Sequence, residues 1–218
     1  MRAVPPATRP AVATRRPGTN LTGPAEFRAV VLAGGRSRRM GHDKAFIELD
    51  GLPLVSRCSR ALVEAGAREV SVVGGDRPRL EALGLVVVDD RYPDEGPVGG
   101  VVTGLDTGQG SDLVVVLACD LAAPSPTAVD MTVGALVARP EAGVARPLHQ
   151  GVPQWLHGCW RVSTALEPLR ARFERGTRSF RGATSGLEVV DVDGVMSRHL
   201  VDLDTAHDLE QARDQQLP

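Results

Sequence analysis

Two short apolar runs constrain the fold of this chain more than any other feature. They read RAVVLA (Arg28–Ala33) and LVVVLA (Leu113–Ala118). A strand with one exposed face alternates apolar and polar residues, whereas a nearly continuous apolar run is typical of a parallel strand covered on both faces. Neither run approaches the roughly 20 residues that a helix needs to span a bilayer. The two runs therefore predict inner strands of a parallel sheet that has helices on each face.

Strand-like and helix-like segments alternate between these two runs. Their apolar spacing predicts a helix over Pro53–Ala65, a strand over Glu69–Val73, a helix over Arg77–Leu83, a strand over Leu85–Val88 and a helix that starts at Gly96 and Pro97. Such repeated alternation is typical of a doubly wound α/β fold. We therefore predict an α/β fold around a mostly parallel sheet.

The pattern becomes less regular after Ala142. Strands are predicted over Gly143–Arg146, Val152–Trp160 and Glu188–Val192, with a helix over Leu166–Phe173. These segments lack the strict strand–helix alternation of the first part of the chain. We expect them to form a small antiparallel C-terminal extension beside the main sheet.

The domain organisation follows from length and from the composition of the N-terminal segment. A chain of 218 residues has the length of about one domain. Residues 1–26 are rich in proline, arginine and threonine, and they carry neither apolar periodicity nor the hydrophobic stretch of a signal peptide. We expect a disordered tail over residues 1–26 and a single domain over residues 27–218.

Charge and composition argue against several classes of partner. The formal net charge is -2 and aromatic residues make up 3% of the chain, so the basic balance and the stacking aromatics of a nucleic-acid-binding protein are both missing. The cysteines, Cys58, Cys119 and Cys159, include no closely spaced pair of the kind found in disulfide scaffolds or zinc ribbons. We expect a soluble cytoplasmic protein that binds neither nucleic acid nor membranes.

One lysine stands out among the cationic residues. The chain has 25 lysine and arginine residues, and Lys44 is the only lysine. Such a skew indicates that arginine replaces lysine wherever a generic positive charge suffices. An ammonium is a compact point charge, whereas a guanidinium is a planar fork, so the two are not interchangeable at a tight site. Lys44 is therefore a candidate for a role that needs the ammonium itself.

Three predicted strands end in residues suited to ligand binding. The first apolar run leads into a glycine-rich loop, the strand over Leu85–Val88 leads to Asp90, and the second apolar run leads to Asp120. Parallel strands have their carboxyl ends at the same edge of a sheet, and open α/β sheets bind ligands there. This edge would combine flexible backbone, a cation and carboxylates, which suits an anionic ligand with a metal ion.

The first of these loops has the chemistry of a phosphate site. It reads LAGGRSRRMGHDK, from Leu32 to Lys44, and it matches neither the Walker A loop nor the dinucleotide-binding GxGxxG pattern. Gly34 and Gly35 allow main-chain N–H groups to approach an anion closely. Arg39, its neighbouring loop arginines and Lys44 raise the local positive potential. The loop therefore predicts binding of a triphosphate by backbone amides, the lysine and arginines.

The same loop resembles the signature of the nucleotidyltransferases that act on molybdenum cofactor, in particular the molybdenum cofactor guanylyltransferase (MobA) family. Further matches follow in the family's order: GPVGGVVTGL at Gly96–Leu105, CD at Cys119–Asp120, ERGTRS at Glu174–Ser179 and DLDTAHDL at Asp202–Leu209. The matches cover about residues 28–213. The resemblance implies a Rossmann-like nucleotidyltransferase fold.

The resemblance also implies roles for particular residues. Leu32, Ala33 and Gly34 match the segment whose backbone meets the guanine nucleotide, and Lys44 matches the phosphate-binding lysine. Three further positions belong to the nucleotide or metal site: Gly74, where the family commonly carries a side chain that contacts the nucleotide, Asp90, and Asp120, which matches the magnesium ligand.

The last matched motif departs from the family pattern. The family's N-x-N-T-P is replaced by Asp202, Leu203, Asp204, Thr205 and Ala206. Two amides have become carboxylates, whose negative charge disfavours contacts to a pterin phosphate there. Asp204 instead offers a second ligand for the magnesium ion.

The activity implied by the resemblance is transfer of GMP from GTP to the terminal phosphate of a molybdopterin-type cofactor, with release of pyrophosphate. Lys44, Arg39 and Asp120, with its Mg²⁺, would carry this reaction by neutralising phosphate charge. The substrates would be GTP and the cofactor, and molybdoenzymes or cofactor-insertion proteins are possible partners.

Two alternatives remain open. One is a related enzyme, either a cytidylyltransferase for the same cofactor or a sugar-phosphate nucleotidyltransferase; the sequence LAGG at the loop favours guanylyl over cytidylyl transfer, for which LAAG is common. The other is a catalytically weakened homologue that binds a nucleotide or a protein partner, because Gly74, Asp202 and Asp204 depart from the family pattern.

The role of the lone lysine can be tested by the substitution Lys44→Arg. We expect turnover to fall far more than stability, because the positive charge is kept while the compact ammonium is lost. Steady-state kinetics and chemical denaturation of the same preparation measure the two effects. Near-normal turnover would contradict the argument from the lone lysine.

Overall fold

A computed structural model describes residues 25–34, 43–108 and 110–214 of the chain. The predicted tail lies outside the described residues except for Ala25 and Glu26, so it stays a prediction, as does the division into tail and single domain. Gly35 and Arg39 of the predicted phosphate loop also lie outside this part of the chain. No helix within the described ranges is long and apolar enough to cross a bilayer.

The secondary structure follows the predicted alternation. The strands are β1 (Phe27–Leu32), β2 (Glu48–Leu49), β3 (Leu52–Pro53), β4 (Val70–Val73), β5 (Val86–Val88), β6 (Leu113–Ala118), β7 (Val144–His149), β8 (Val152–Pro153), β9 (Cys159–Arg161) and β10 (Val189–Val192). The α-helices are α1 (Leu54–Glu64), α2 (Arg77–Ala82), α3 (Pro97–Asp106), α4 (Pro126–Val137), α5 (Val162–Glu174), α6 (Phe180–Ala183) and α7 (Ala206–Asp214). Short 3-10 helices cover Lys44–Phe46, Trp155–His157 and Ser197–Leu200.

One mostly parallel sheet organises the fold, which confirms the predicted class. Within the described residues its strand order is β10-β7-β9-β6-β1-β4-β5, with β8 paired to β7, and β2 and β3 form a separate hairpin. β1 is parallel to β4 on one side and to β6 on the other. The chain therefore moves outward from β1 to β5, crosses back through α3 and continues at β6. This reversal creates a switch point between β1 and β6, where such sheets bind ligands.

Both apolar runs are buried on both faces, as predicted. Every residue of β1 and of β6 is buried. Successive side chains point to opposite faces of a strand, so Val31 and Val115 pack with α1 and α4 on one face. Val30 and Val116 pack with α3 and α5 on the other. The nearly continuous apolar character of these strands thus reflects two hydrophobic layers rather than one.

The C-terminal extension differs in detail from the prediction. β9 is antiparallel to both β6 and β7, whereas β10 is parallel to β7. The predicted strand over Val152–Trp160 is divided into β8, a 3-10 helix and β9. This part of the prediction was wrong: the stretch VPQWLHGCW does not alternate apolar and polar residues regularly, and Pro153 and Gly158 favour a break.

Helix α4 was not among the predicted elements, although its sequence carries the necessary signals. Ser125 caps it by accepting a hydrogen bond from the Ala128 N–H, and Pro126 occupies its first turn. Val129, Val133 and Leu136 are buried at helical spacing. Helix α4 thereby covers the sheet between β6 and β7 and leads the chain away from the end of β6.

Helix α3 approaches the sheet closely because glycines face it. A Cβ atom added at Gly104 would lie 3.0 Å from Val30 Cγ1, and one at Gly100 would lie 3.3 Å from Leu32 Cδ1. Both distances are tighter than an ordinary van der Waals contact. The stiff, β-branched side chain of Val30 on β1 has little freedom to move aside. The glycines therefore set the distance between α3 and the strand that leads into the loop at Gly34.

The substitution Gly104→Ala tests this close approach. We expect the free energy of unfolding to fall by about 1–3 kcal/mol, because an extra methyl group overpacks the contact with Val30. The matched control is Gly134→Ala in α4, where an added Cβ meets nothing within 4 Å. This change should raise the free energy of unfolding by about 0.5–1 kcal/mol through helix propensity. Urea denaturation measures both, and equal effects would contradict the packing argument.

Candidate active site

A cavity of about 900 Å³ lies beyond the carboxyl ends of β1, β4 and β6. Its lining includes the predicted site residues that fall within the described part of the chain: Leu32, Ala33, Gly34, Lys44, Gly74, Asp90, Asp120 and Asp204. Leu32–Gly34, Gly74, Asp90 and Asp120 meet because parallel strands end at one edge of the sheet, and Lys44 and Asp204 reach the same edge from other segments. The structure therefore brings these eight residues together, while their individual roles stay predictions.

The cavity wall at the ends of β1 and β4 is formed by main chain and small residues. The Ala33 N–H donates to the Val73 carbonyl at 3.0 Å, and the Gly74 N–H donates to the Val88 carbonyl at 3.0 Å. Gly74 has a φ of +73°, and a Cβ there would lie 3.1 Å from the Cα of Gly34. A side chain at position 74 would therefore be strained and would collide with the neighbouring loop. The close packing of the two glycines explains why Gly74 carries no side-chain contact to a ligand.

Asp90 has a structural role in addition to its place on the cavity wall. Its Oδ1 accepts hydrogen bonds from the Tyr92 N–H and from the Thr103 hydroxyl, both at 3.0 Å. The Thr103 oxygen also accepts from the Arg91 N–H at 3.2 Å. Since Thr103 is fully buried in α3, these bonds fix the loop between β5 and α3. A Cβ at Gly34 would lie 3.5 Å from the Asp90 Oδ2. This second oxygen therefore borders the part of the cavity formed by Gly34 and Gly74, which we call the glycine wall.

Lys44 lies between two carboxylates. Its Nζ donates to Asp120 Oδ2 at 3.0 Å and to Asp204 Oδ1 at 2.6 Å. The side chains of Lys44 and Asp120 are 15% and 19% exposed, whereas that of Asp204 is 75% exposed. The ammonium and one carboxylate are therefore largely removed from water, while the other carboxylate faces solvent.

Local structure holds Lys44 in this position. Asp43 caps the short 3-10 helix that starts at Lys44, because its Oδ1 accepts from the Ala45 N–H at 3.1 Å. Ala45 is fully buried against the core, and the Ile47 N–H closes the turn on the Lys44 carbonyl at 3.1 Å. The turn directs the lysine side chain toward the cavity.

Asp120 and Asp204 are brought together by backbone pairing. The Cys119 N–H donates to the Leu32 carbonyl at 3.2 Å, and the Leu203 N–H donates to the Asp120 carbonyl at 2.8 Å. Leu121 and Asp202 form an isolated antiparallel bridge. The segment around residues 202–204 therefore runs against the end of β6 and carries Asp204 to Lys44.

Burial and neighbouring charges shift the pKa values of Lys44 and Asp120, which together with Asp204 form the charged cluster of the cavity. Burial raises the pKa of Asp120, the nearby charge of Asp202 raises it further, and Lys44 acts in the opposite direction. Burial alone would lower the pKa of Lys44, but hydrogen bonds and the charges of Asp204 and Asp120 outweigh it, so this pKa is raised. Lys44 therefore stays cationic, and Asp120 is a carboxylate whose charge needs a cation close by.

The donor set of the cluster fits a magnesium ion that is shared with phosphates. Asp120 and Asp204 direct oxygens toward one cation position, which the Lys44 ammonium fills. Mg²⁺ is commonly bound through one or two carboxylates, with phosphate oxygens and water completing its octahedral shell. Across residues 25–34, 43–108 and 110–214, no group of three or more His, Cys, Asp or Glu side chains is arranged to hold a metal ion. Two carboxylates are the share of a Mg²⁺ shell that protein side chains commonly supply.

Several cavity residues were not among the site residues predicted from the sequence, although some lie in the matched motifs. They are Asp43, Val73, Gly75, Pro93, Asp94, Gly96, Pro97, Gly100, Ala118, Cys119 and Leu156. Gly96, Pro97 and Gly100 lie in the GPVGG motif. The place of this motif in the family's order could be recognised in the sequence, but the sequence did not indicate which of its residues reach the cavity. Leu156 reaches the cavity from the interruption between β8 and β9, which the prediction of one continuous strand concealed.

The position and the lining of the cavity define a class of protein. Open α/β sheets bind nucleotides at a switch point such as the one between β1 and β6. Glycine-rich main chain next to an ammonium and carboxylates is suited to phosphates and their counterions. Fold and cavity together define a nucleotide-binding α/β protein.

Comparison with known proteins places the chain within this class. The chain belongs to the MobA-like NTP transferase family, whose model matches residues 29–188. It is 34% identical to a "Probable molybdenum cofactor guanylyltransferase" from Chloroflexus aggregans, over 83% of this chain and 90% of the relative. It is 32% identical to a "Molybdenum cofactor guanylyltransferase" from Rhodobacter capsulatus, over 85% of this chain and 94% of the relative. The resemblance seen in the sequence motifs is thus confirmed.

Solved structures support the fold. The crystal structure of molybdopterin-guanine dinucleotide biosynthesis protein A from Archaeoglobus fulgidus superimposes with a TM-score of 0.69 at 20% identity, over 86% of this chain and 97% of that one. A nucleotidyl transferase from Methanothermobacter thermautotrophicus superimposes with a TM-score of 0.66 at 20% identity, over 87% and 97% of the two chains. The predicted nucleotidyltransferase fold is therefore confirmed.

The raised pKa of Asp120 predicts a stability effect of the substitution Asp120→Asn. Ionising Asp120 costs more in the folded than in the unfolded protein, so the neutral amide should increase the free energy of unfolding at pH 7. The gain should shrink as the pH falls through the raised pKa of the folded state, because folded Asp120 then takes up a proton, and it should vanish below about 4, where Asp120 is protonated in both states. Urea denaturation across this pH range measures the effect. The control is Asp130→Asn, an exposed carboxylate on α4, and a gain at Asp120 that does not depend on pH would contradict the argument.

Proposed function

We propose that this protein transfers the GMP part of GTP to the terminal phosphate of a molybdopterin-type cofactor and releases pyrophosphate. The observation that carries the proposal is the Lys44 ammonium held between Asp120 and Asp204 beside a backbone-lined cavity. The names of the relatives with 32% and 34% identity support the choice of substrates.

The cavity has separate regions that suit the two ends of a nucleotide. The glycine wall at Gly34 and Gly74, with Asp90 beside it, offers backbone and one carboxylate oxygen to a base and ribose. Lys44 and Asp120 provide the charged region, which suits the triphosphate. A volume of about 900 Å³ is near the upper end for ligand pockets, so it leaves space for part of a second substrate.

The proposed reaction requires little covalent chemistry from the protein. A phosphate monoester has a second pKa of about 6, so the acceptor phosphate is already an anionic nucleophile near neutral pH. One of its oxygens bonds to the α-phosphorus of GTP, the bond from that phosphorus to the bridging oxygen breaks, and pyrophosphate leaves with the electron pair. No general base is needed to generate the nucleophile. The protein must align two anions that repel each other and offset their charge.

Lys44 and the two carboxylates divide this task. Lys44 would donate to the triphosphate and stabilise the charge that develops on pyrophosphate, and Arg39 of the same loop is proposed to assist. Asp120 would hold Mg²⁺, with Asp204 as a second ligand. The bound ion would supply charge neutralisation at the phosphate oxygens. When the Lys44 ammonium binds phosphates instead, the carboxylates of Asp120 and Asp204 would be free to bind a different cation.

A binding titration with GTP, CTP and ATP, each with and without Mg²⁺, tests the proposed nucleotide. We expect a preference for GTP that depends on Mg²⁺, because the phosphates and the carboxylates need a shared cation. A preference for CTP would instead favour the related cytidylyltransferase. Absence of binding to any of the three would contradict catalysis and favour the weakened homologue.

A transfer assay with GTP and molybdopterin-type cofactor tests the reaction itself. We expect pyrophosphate release to require both substrates. Asp120→Asn should lower kcat by at least about 100-fold, since a group that offsets transition-state charge is lost. Asp130→Asn serves as the control and should retain activity. Full activity of the Asp120→Asn variant would show that Asp120 is not the essential ligand.

A further inference from the structure

Two covered polar atoms face each other beneath the proposed active site. His157 is 6% exposed, and its Nε2 has no hydrogen-bond partner within the described part of the chain. The Oδ1 of Asp202 is also covered and has no such partner there. The two atoms are 3.7 Å apart. A buried polar atom without a partner costs about 1–3 kcal/mol, so two that face each other are expected to pair.

The distance between them is only slightly longer than a hydrogen bond. An N–H···O bond has a donor–acceptor distance of about 2.7–3.2 Å, so a shift of less than about 1 Å would form it. We propose that His157 donates from Nε2 to Asp202, and that it is thereby a positioning residue for the cluster of Lys44, Asp120 and Asp204. The expected effect on catalysis rests on the proposed function, whereas the His157–Asp202 hydrogen bond does not depend on it.

Asp202 is well placed to transmit such an effect. It forms the bridge with Leu121, and the Leu203 N–H next to it donates to the Asp120 carbonyl at 2.8 Å. Two residues further on, Asp204 accepts from Lys44. A displacement of Asp202 would therefore move the backbone that holds both carboxylates of the site.

His157 provides a fixed point from which to hold this segment. It ends the 3-10 helix between β8 and β9, and its N–H donates to the Gln154 carbonyl at 3.2 Å. The carbonyl of the next residue, Gly158, accepts from the Val116 N–H of β6 at 2.9 Å. The imidazole is thus anchored to the central sheet on one side and faces the C-terminal segment on the other.

The same segment is also held just before Asp202 in the chain. His199 Nδ1 is 2.8 Å from the Ala123 carbonyl, and the Ala122 N–H donates to the Val201 carbonyl at 3.0 Å. Backbone and His199 contacts therefore hold the segment before Asp202, and Lys44 holds it at Asp204. Asp202 lies between these points, and His157 is the side chain that faces its covered oxygen.

The electrostatic consequence is local. The charge of Asp202 contributes to the raised pKa of Asp120. A hydrogen bond from His157 would keep the Asp202 carboxylate at one distance from Asp120 and reduce its field there. Loss of the bond would leave a mobile negative charge close to the proposed metal ligand.

Kinetics of four variants test the effect on the reaction. We expect His157→Phe to lower kcat by about 10-fold to 100-fold, with the KM for GTP changed by less than about threefold, because small misplacements of reacting groups reduce rate more than binding. His157→Gln, which keeps a side-chain N–H donor, should recover part of the loss. Asp202→Ala should resemble His157→Phe, and the double variant His157→Phe/Asp202→Ala should be no worse than the Asp202→Ala variant.

The matched control is His149→Phe, because His149 also has a covered ring nitrogen, Nδ1, without a partner among the described residues, and lies at the end of β7. It should leave kcat unchanged. Normal kcat in His157→Phe, or multiplicative losses in the double variant, would overturn the proposal. Urea denaturation of each variant separates these effects from loss of folded protein.

NMR spectroscopy tests the His157–Asp202 hydrogen bond independently of activity. In the ¹⁵N-labelled wild-type protein near pH 7.5, the His157 imidazole should carry its proton on Nε2, with a chemical shift typical of a hydrogen bond that is lost in Asp202→Ala. A His157 ring protonated on Nδ1 alone, or a spectrum insensitive to Asp202→Ala, would overturn the proposal. If the wild-type protein fails to transfer GMP while this signature is present, the proposed function fails and the His157–Asp202 bond stands.

Discussion

The pairing of one ammonium with two carboxylates is the interaction on which the rest of the site depends. Lys44 joins Asp120, which is 76 residues away in sequence, to Asp204, which is 160 residues away. Asp120 is mostly removed from water, so its charge is costly unless a cation is near. The same ammonium therefore compensates a charge next to the sheet and keeps the C-terminal segment against the end of β6. The closure of the chain on itself and the proposed binding of phosphates therefore depend on this one group.

The inner part of the fold could be predicted from the sequence because its strands are buried on two faces. The apolar runs at β1 and β6 have no polar side to present, and this leaves a clear trace in the residues. The proximity of Gly34, Asp90 and Asp120 could be predicted from the sheet topology, since parallel strands have their carboxyl ends at the same edge. A motif resemblance added Gly74 and Asp204, which no periodicity would have indicated.

The other parts of the fold and of the site could not be predicted from the sequence, because most of them depend on contacts between residues that are distant in the chain. The break between β8 and β9 lies in a stretch that was predicted as one strand despite Pro153 and Gly158, and its position is fixed by the pairing of Gly158 with β6. Helix α7 has few apolar residues, of which Leu209 and Ala212 pack against the core, so its periodicity is weak. Helix α4, by contrast, carried a cap and helical spacing that could have been recognised. The proximity of His157 and Asp202 has no local signature at all.

The direction of β9 has a consequence for how the cavity walls can vary. The walls at β1, β4 and β6 are loops that leave the carboxyl ends of their strands, whereas β9 runs the other way, so residues that precede it, such as Leu156, reach the same rim. Insertions or replacements between β8 and β9 would therefore remodel one side of the cavity and leave the glycine wall intact. Variation in this one connection can therefore change which molecules the cavity admits, while the wall at Gly34 and Gly74 keeps its shape.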